Sequence, residues 1–246
     1  MGYLGRDIAV SEIDAKSLLV ATCDSCGGIG EKQLDSVSVP AELVGRLTAR
    51  VAMLELVAVG ATPRLLTVAI CSEPEPTGTK ILAGIETELR TAGFDGLPRI
   101  VSTEKNITVR QTGLGIGVAG ICPLSDLKVN RSQRGDIVYC LGLPKVGGGE
   151  IERADDPQIV QIEPLMRLVR CASIHDVLPI GSSGILQETN RLSKRVNCRF
   201  QQNGHSIDVQ KSAGPSTCAV FTCGGKLPES LSTAIPVTEI GRFLSR

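Results

Sequence analysis

The sequence predicts an α+β chain of two halves. Three observations carry this. Strands and helices alternate over the first 121 residues, a polar stretch at 123–135 interrupts them, and a second alternating series follows. With 246 residues the chain divides into domains of ordinary size at 1–125 and 126–246, the first expected as an α/β sheet domain and the second as an α+β sandwich.

Residues 16–23 (Lys-Ser-Leu-Leu-Val-Ala-Thr-Cys) read as a strand. Residues 40–59 read as a helix, with Pro40 near its start, Leu43, Leu47, Val51 and Leu54 at helical spacing, and Gly60 as its stop. A buried strand is expected at 64–71, then an amphipathic helix at 79–92 with Ile81, Leu82, Ile85 and Leu89 on one face. Residues 112–121 form a strand with glycine at alternate positions, so one face is nearly bare, as where another backbone or a ligand packs closely. In the second half, strands are expected at 136–143, 174–180, 217–222 and 235–243, and helices at 158–171 and 183–196.

Composition excludes several functions. Lys plus Arg equals Asp plus Glu at 26 each, and with two Tyr, four Phe and no Trp there is neither a basic footprint nor a stacking platform for nucleic acid. No signal peptide is visible, and the most apolar helical stretch, 51–61, falls well short of the roughly 20 residues of a membrane span, so a cytoplasmic location is expected. The nine cysteines read as reduced thiols; Cys23 and Cys26 form one C-x-x-C, but the second tight pair of a four-cysteine zinc site is missing. With only His175 and His205, imidazole-based metal centres and hydrolytic triads have little material, and His175-Asp176 reads as structural. Gly115 to Gly120 satisfies G-x-G-x-x-G but sits inside a strand and leads to Cys-Pro, so it is no dinucleotide fingerprint.

The richest segment is 24–39, where an apolar strand delivers Asp24 to a loop holding Gly27, Gly28 and Gly30, then Glu31, Lys32 and Asp35. A carboxylate beside a glycine-rich loop suits a magnesium-bound phosphate: hard oxygens hold the metal, and loop N–H groups with Lys32 meet the anion. Glu55 continues the row Leu47, Val51, Glu55, Val59, and on an apolar face it needs a partner, either a metal or an arginine such as Arg46 or Arg50. Ser102-Thr103-Glu104-Lys105-Asn106 is a dense polar cluster ahead of the glycine strand, with oxygens for Mg²⁺ in Glu104 and Asn106 and a phosphate contact in Lys105.

In order, these segments resemble the superfamily of aminoimidazole ribonucleotide synthetase (PurM-like), selenophosphate synthetase, thiamine monophosphate kinase and the hydrogenase maturation dehydratase. Its Asp-Gly-Val-Gly-Thr-Lys corresponds to Asp24 through Lys32 with three extra residues. Its Asp before Ala-x-Gly-Ala-x-Pro is Glu55 before Ala58-Val-Gly60-Ala61-Thr-Pro63, and its Gly-Gly-[Asp/Glu]-Thr is matched by 102–106. The resemblance implies a PurM-like fold that dimerises through its N-terminal sheets and binds ATP and Mg²⁺. Asp24, Glu55 and Glu104 would hold metal, while Gly27, Gly28, Gly30, Lys32, Lys105 and Asn106 would bind phosphate. Ser212, Ser216 and Thr217 would lie in a second-domain loop over the substrate. The wording Asp-Ser-Cys-Gly-x-Ile-Gly-x-Lys, Ser-Thr-Glu-Lys-Asn and Ser-Ala-Gly-Pro-Ser-Thr-Cys is most similar to the α-ribazole kinase branch, which makes α-ribazole 5′-phosphate in cobamide salvage. The alternatives are another ATP-dependent synthetase or kinase of the superfamily and a non-catalytic ATP-binding assembly protein. Residues 1–22 contain no Cys, which disfavours selenophosphate synthesis.

Overall fold

The structure, a computed structural model, describes residues 2–204, 206–228 and 233–246, so His205 lies outside it. Contacts divide the chain into two compact units. One comprises residues 7–56 and 61–124 with the first few residues; the other comprises 4–6, 57–60 and 125–246.

The first unit is a five-stranded sheet in the order β1-β2-β7-β5-β6. Its strands are β1 (Ala9–Asp14), β2 (Ser17–Gly27), β5 (Thr62–Ile70), β6 (Arg99–Thr103) and β7 (Gly113–Pro123), while the short pair β3 (Ile29–Gly30) and β4 (Val37–Ser38) lies in the glycine-rich loop. Strand β2 runs four residues beyond the expected end. It pairs residue for residue with β7 from Ser17 opposite Pro123 to Gly27 opposite Gly113, so Asp24 sits inside a strand rather than at its tip. Alternation along β2 turns Leu18, Val20, Thr22, Asp24 and Cys26 to one face, where the Thr22 hydroxyl donates to Ala52 O (2.8 Å) of helix α1 (Ala41–Ala58). Helix α2 (Thr79–Thr91) crosses α1 closely: a Cβ on Gly45 would stand 2.1 Å from Ile81 O, and one on Gly84 2.0 Å from Glu42 O. Beside this crossing, buried Arg50 grips Glu88 with both Nε (2.7 Å) and Nη2 (2.9 Å), and Arg46 Nε adds a third bond at 3.2 Å. The opposite sheet face carries Leu19, Ala21, Leu65, Thr67, Ala69, Ala119 and the β7 glycines Gly113, Gly115 and Gly117, and Leu19 and Leu65 are both exposed.

The second unit holds an antiparallel sheet in the order β10-β12-β8-β11-β9: β8 (Ile137–Leu141), β9 (Ile174–Pro179), β10 (Cys198–Gln202), β11 (Ala219–Cys223) and β12 (Val237–Ser245). Helices α3 (Ile162–Val169) and α4 (Gly184–Arg195) complete it, α3 starting four residues later than its sequence pattern suggests. Val138, Cys140, Leu178, Ile185, Leu192, Val220, Ile240 and Phe243 form its core. A buried polar knot sits beside that core. The Ser132 N–H and hydroxyl donate to Asp176 Oδ2 (2.7 and 2.5 Å), and the Asp176 N–H donates to the Thr222 hydroxyl (3.1 Å). Arg6 Nη1 lies 3.7 Å from Asp176 Oδ1, both side chains fully buried, and Arg6 Nη2 donates to Val177 O. No helix among the described residues is long and apolar enough to cross a membrane.

Candidate functional site

Antiparallel pairing sets Cys26 opposite Leu114 and Leu114 opposite Ile70, and parallel pairing sets Ile70 beside Thr103. One row therefore crosses β2, β7, β5 and β6, about 14 Å from first strand to last at the usual strand spacing. Asp24 lies two residues from one end of this row, and Glu104 follows its other end.

The glycine-rich loop extends from β2 over this end of the sheet, and Asp35 fastens it. The Lys32 N–H donates to Asp35 Oδ2 (2.8 Å), and Thr112 gives Asp35 both its N–H (2.7 Å) and its hydroxyl (2.7 Å). Burial pushes the Asp35 carboxyl up, but these bonds and the Lys32 charge outweigh it and hold the group below the usual carboxylate range. Gly30 must be glycine: its φ is +154°, and a Cβ there would stand 2.3 Å from Thr112 Oγ1. The Gly28 N–H, expected to face a phosphate, donates to Thr112 O (2.9 Å) instead.

Lys32 reaches from the loop to the stretch after β5 and pairs with Glu73 at 2.6 Å. Glu73 is a site residue the sequence did not disclose, since it follows a strand in an ordinary Ser-Glu-Pro turn. Burial alone would raise its pKa, but the bonds from Lys32 and from the Thr77 hydroxyl bring it down to about 2.

Asp24 is half-buried, and burial pushes its carboxyl up to about 6 against a lowering hydrogen bond from the Ser25 backbone. An opposite charge placed there would be strongly attracted. Glu104 curls back on its own turn: its Oε1 accepts the N–H groups of Asn106 (2.7 Å) and Ile107 (3.2 Å), and Lys105 and Asn106 are exposed beside it. Glu55 lies on α1 in the half-buried row with Leu47 and Val51, while the deeply buried face of the helix is Ala49, Ala52, Met53 and Leu56. Asp24, Glu55 and Glu104 are not gathered together, and no group of three His, Cys, Asp or Glu among the described residues could hold a metal ion.

Cys23 and Cys26 fall on opposite faces of β2, Cys23 with the exposed face and Cys26 toward α1, so the C-x-x-C forms no clamp, and both are free thiols. In the second unit Thr217 is buried, its hydroxyl accepting from Lys145 N–H (2.8 Å) and donating to Lys145 O (3.1 Å). Ser216 is also buried, whereas Ser212 is half-exposed and its Oγ accepts from Gly214 N–H (3.3 Å).

Residues 5–117 match the family model "AIR synthase related protein, N-terminal domain". Solved structures match almost the whole chain. Thiamine-monophosphate kinase from Stenotrophomonas maltophilia is 18% identical with a TM-score of 0.67, over 98% of this chain and 90% of that one. A structure described as AaThiL complexed with AMPPCP and TMP is 16% identical with a TM-score of 0.66, over 98% and 85%. Hydrogenase maturation protein HypE in complex with ATP is 15% identical with a TM-score of 0.66, over 96% and 79%. The chain has the PurM-like fold, and residues 5–117 are similar to the AIR synthase related N-terminal domain. No curated protein matches this PurM-like chain in sequence.

Proposed function

We propose that the chain is an ATP- and Mg²⁺-dependent small-molecule kinase whose acceptor is α-ribazole, a nucleoside. The observation that carries the reading is the glycine-rich loop drawn over one end of the sheet, with Lys32 on it and the half-buried Asp24 carboxyl pushed up to about 6 beside it. The PurM-like neighbours bound to AMPPCP and TMP, and to ATP, support a nucleotide at this fold.

The residues fit a magnesium ion in one respect and limit it in another. Mg²⁺ needs only one or two carboxylates when substrate phosphates supply the remaining oxygens, and the destabilised charge of Asp24 is a suitable first ligand. The row of about 14 Å from β2 to β6 keeps Asp24 and Glu104 from closing on one ion. Asp24 and Glu104 would each offer a carboxylate to the magnesium-bound phosphates. Glu55, half-buried on α1, is the third candidate ligand. The ion would supply charge neutralisation on the phosphates. Phosphoryl transfer asks the protein mainly for positioning and charge stabilisation. Here Lys32 and the exposed Lys105 and Asn106 would neutralise and orient phosphate oxygens, and of the three hydroxyls that the sequence offers for the acceptor, Ser212 is half-exposed while Ser216 and Thr217 are buried. The α-ribazole assignment rests on the sequence motifs at 24–32, 102–106 and 212–218. This chemistry belongs in the cytoplasm, where ATP is supplied.

Melting curves with ATP–Mg²⁺, alone and with α-ribazole, thiamine monophosphate and other nucleosides, followed by mass detection of a phosphorylated product, test the reading. Phosphorylated α-ribazole is expected. Turnover of ATP with a different acceptor would replace the substrate. A nucleotide-induced stabilisation with no product from any acceptor would make the chain a binding protein.

A further inference from the structure

The ion pair between Lys32 and Glu73 has both of its ends fixed. The Lys32 main chain is held by Asp35, with the Lys32 N–H on Asp35 Oδ2 and the Asp35 N–H on Lys32 O (3.0 Å). Glu73 is held at the entry to α2, where its carboxylate accepts the Thr77 hydroxyl and its carbonyl accepts the Gly78 N–H (3.0 Å). The only freedom left is the direction of the Lys32 side chain. That side chain is 13% exposed and Glu73 is 36% exposed, so the pair is reachable from solvent yet shielded on the lysine side. A partly exposed pair of this kind adds little to folding, and here it neutralises the one cation on the glycine-rich loop.

We propose that Glu73 is a positioning residue that holds Lys32 in reserve, and that a nucleotide polyphosphate binds by taking Lys32 away from it. The inference rests on the ATP reading above and adds a residue to it. In the exchange the ammonium trades one carboxylate for a more highly charged phosphate, and Glu73 is left with the Thr77 hydroxyl as its partner. The freed carboxylate then faces an anion, so part of the binding energy is spent on separating the pair. Nucleotide affinity is thereby set by the resident carboxylate as well as by the lysine.

Dissociation constants for AMPPCP–Mg²⁺, measured for wild type, Glu73→Gln, Lys32→Gln and the double variant, test this. Glutamine keeps bonds to Lys32 and Thr77 and removes only the charge. Its Kd should fall about three- to fivefold, the range of a partly exposed ion pair. Lys32→Gln should bind more weakly than wild type, and adding Glu73→Gln to it should change nothing. Glu73→Asp, which withdraws the carboxylate by one methylene, should fall between wild type and Glu73→Gln, and it serves in place of the latter if that variant does not melt cooperatively. An unchanged Kd in Glu73→Gln, a weaker one, or an equal gain with and without Lys32 would overturn the proposal while leaving the ATP reading standing. Wild type that binds no AMPPCP–Mg²⁺ would overturn both.

Discussion

At the scale of single residues, Asp24 is the sharpest test of the site. Its carboxyl is raised by burial to about 6 in the folded chain against 3.8 for the free group. Between those values the folded state keeps a proton that the unfolded state has lost. The contribution of Asp24 is therefore most favourable below about pH 4, fades as pH rises through about 6, and is least favourable at pH 7. Asp24→Asn should abolish that slope in melts between pH 4 and 7 and should melt no lower than wild type at pH 7. ATP-dependent turnover should fall about tenfold or more, roughly 1.4 kcal/mol or above. Full activity in the folded variant would remove Asp24 from the metal. Glu55 and Glu88 make a second test. Glu88 is the carboxylate that both Arg46 and Arg50 grip, and Glu88→Gln leaves a buried guanidinium short of its countercharge, at a cost of about 3–5 kcal/mol in denaturant unfolding. Glu55→Gln should stay close to wild type without nucleotide and lose the ATP–Mg²⁺ shift; the reverse result would withdraw Glu55 from the site.

At the scale of elements, what the sequence disclosed depended on where a strand or helix lies in its sheet. Helices α1 and α2 follow their apolar spacing to within two residues at each end, because one face of each is packed in the core. In the two five-stranded sheets, the strands that the sequence did not disclose are β1, β6 and β10, and each is a sheet edge. Ser11, Glu12 and Asp14 on β1, and Arg199, Gln201 and Gln202 on β10, face water on an edge that tolerates polar residues. Edge β6 was legible only as the polar cluster at its end, although it bears Ile100 at 66% exposure. The same limit applies to the site. Asp24, Lys32 and the glycines were readable because they are contiguous, whereas Glu73 meets Lys32 across 41 residues and Glu88 meets Arg50 across 38. No local pattern encodes those partners.

For the whole molecule, the exposed sheet face of the first unit carries Leu19, Ala21, Leu65, Ala69 and Ala119 around nearly bare glycine positions. Contiguous apolar surface of this kind marks an interface, and we expect a homodimer formed through it. Light scattering at micromolar concentration should report twice the 25.9 kDa chain mass, and Leu19→Lys with Leu65→Lys should yield a monomer. A wild-type monomer would count against this face as the dimer contact. The second unit has its own dependence, because it incorporates residues 4–6 and 57–60. Arg6→Met leaves Asp176 buried with its serine and threonine partners but without its cation, and should cost about 3–5 kcal/mol. A fragment of residues 126–246 should show no cooperative melt for the same reason, and a sharp transition would refute the role of Arg6.

Arg6 also bears on the timing of biosynthesis. Its hydrogen-bond acceptor, Val177 O, lies 171 residues further along the chain. At about 5–20 residues per second, a ribosome takes roughly 9–34 s to travel that distance. Late in that interval, once β7 has been made, the first sheet can assemble while Arg6 waits, solvated, for a strand not yet made. A fusion or cleavage at the leading end would therefore register as misfolding in the half of the protein synthesised last.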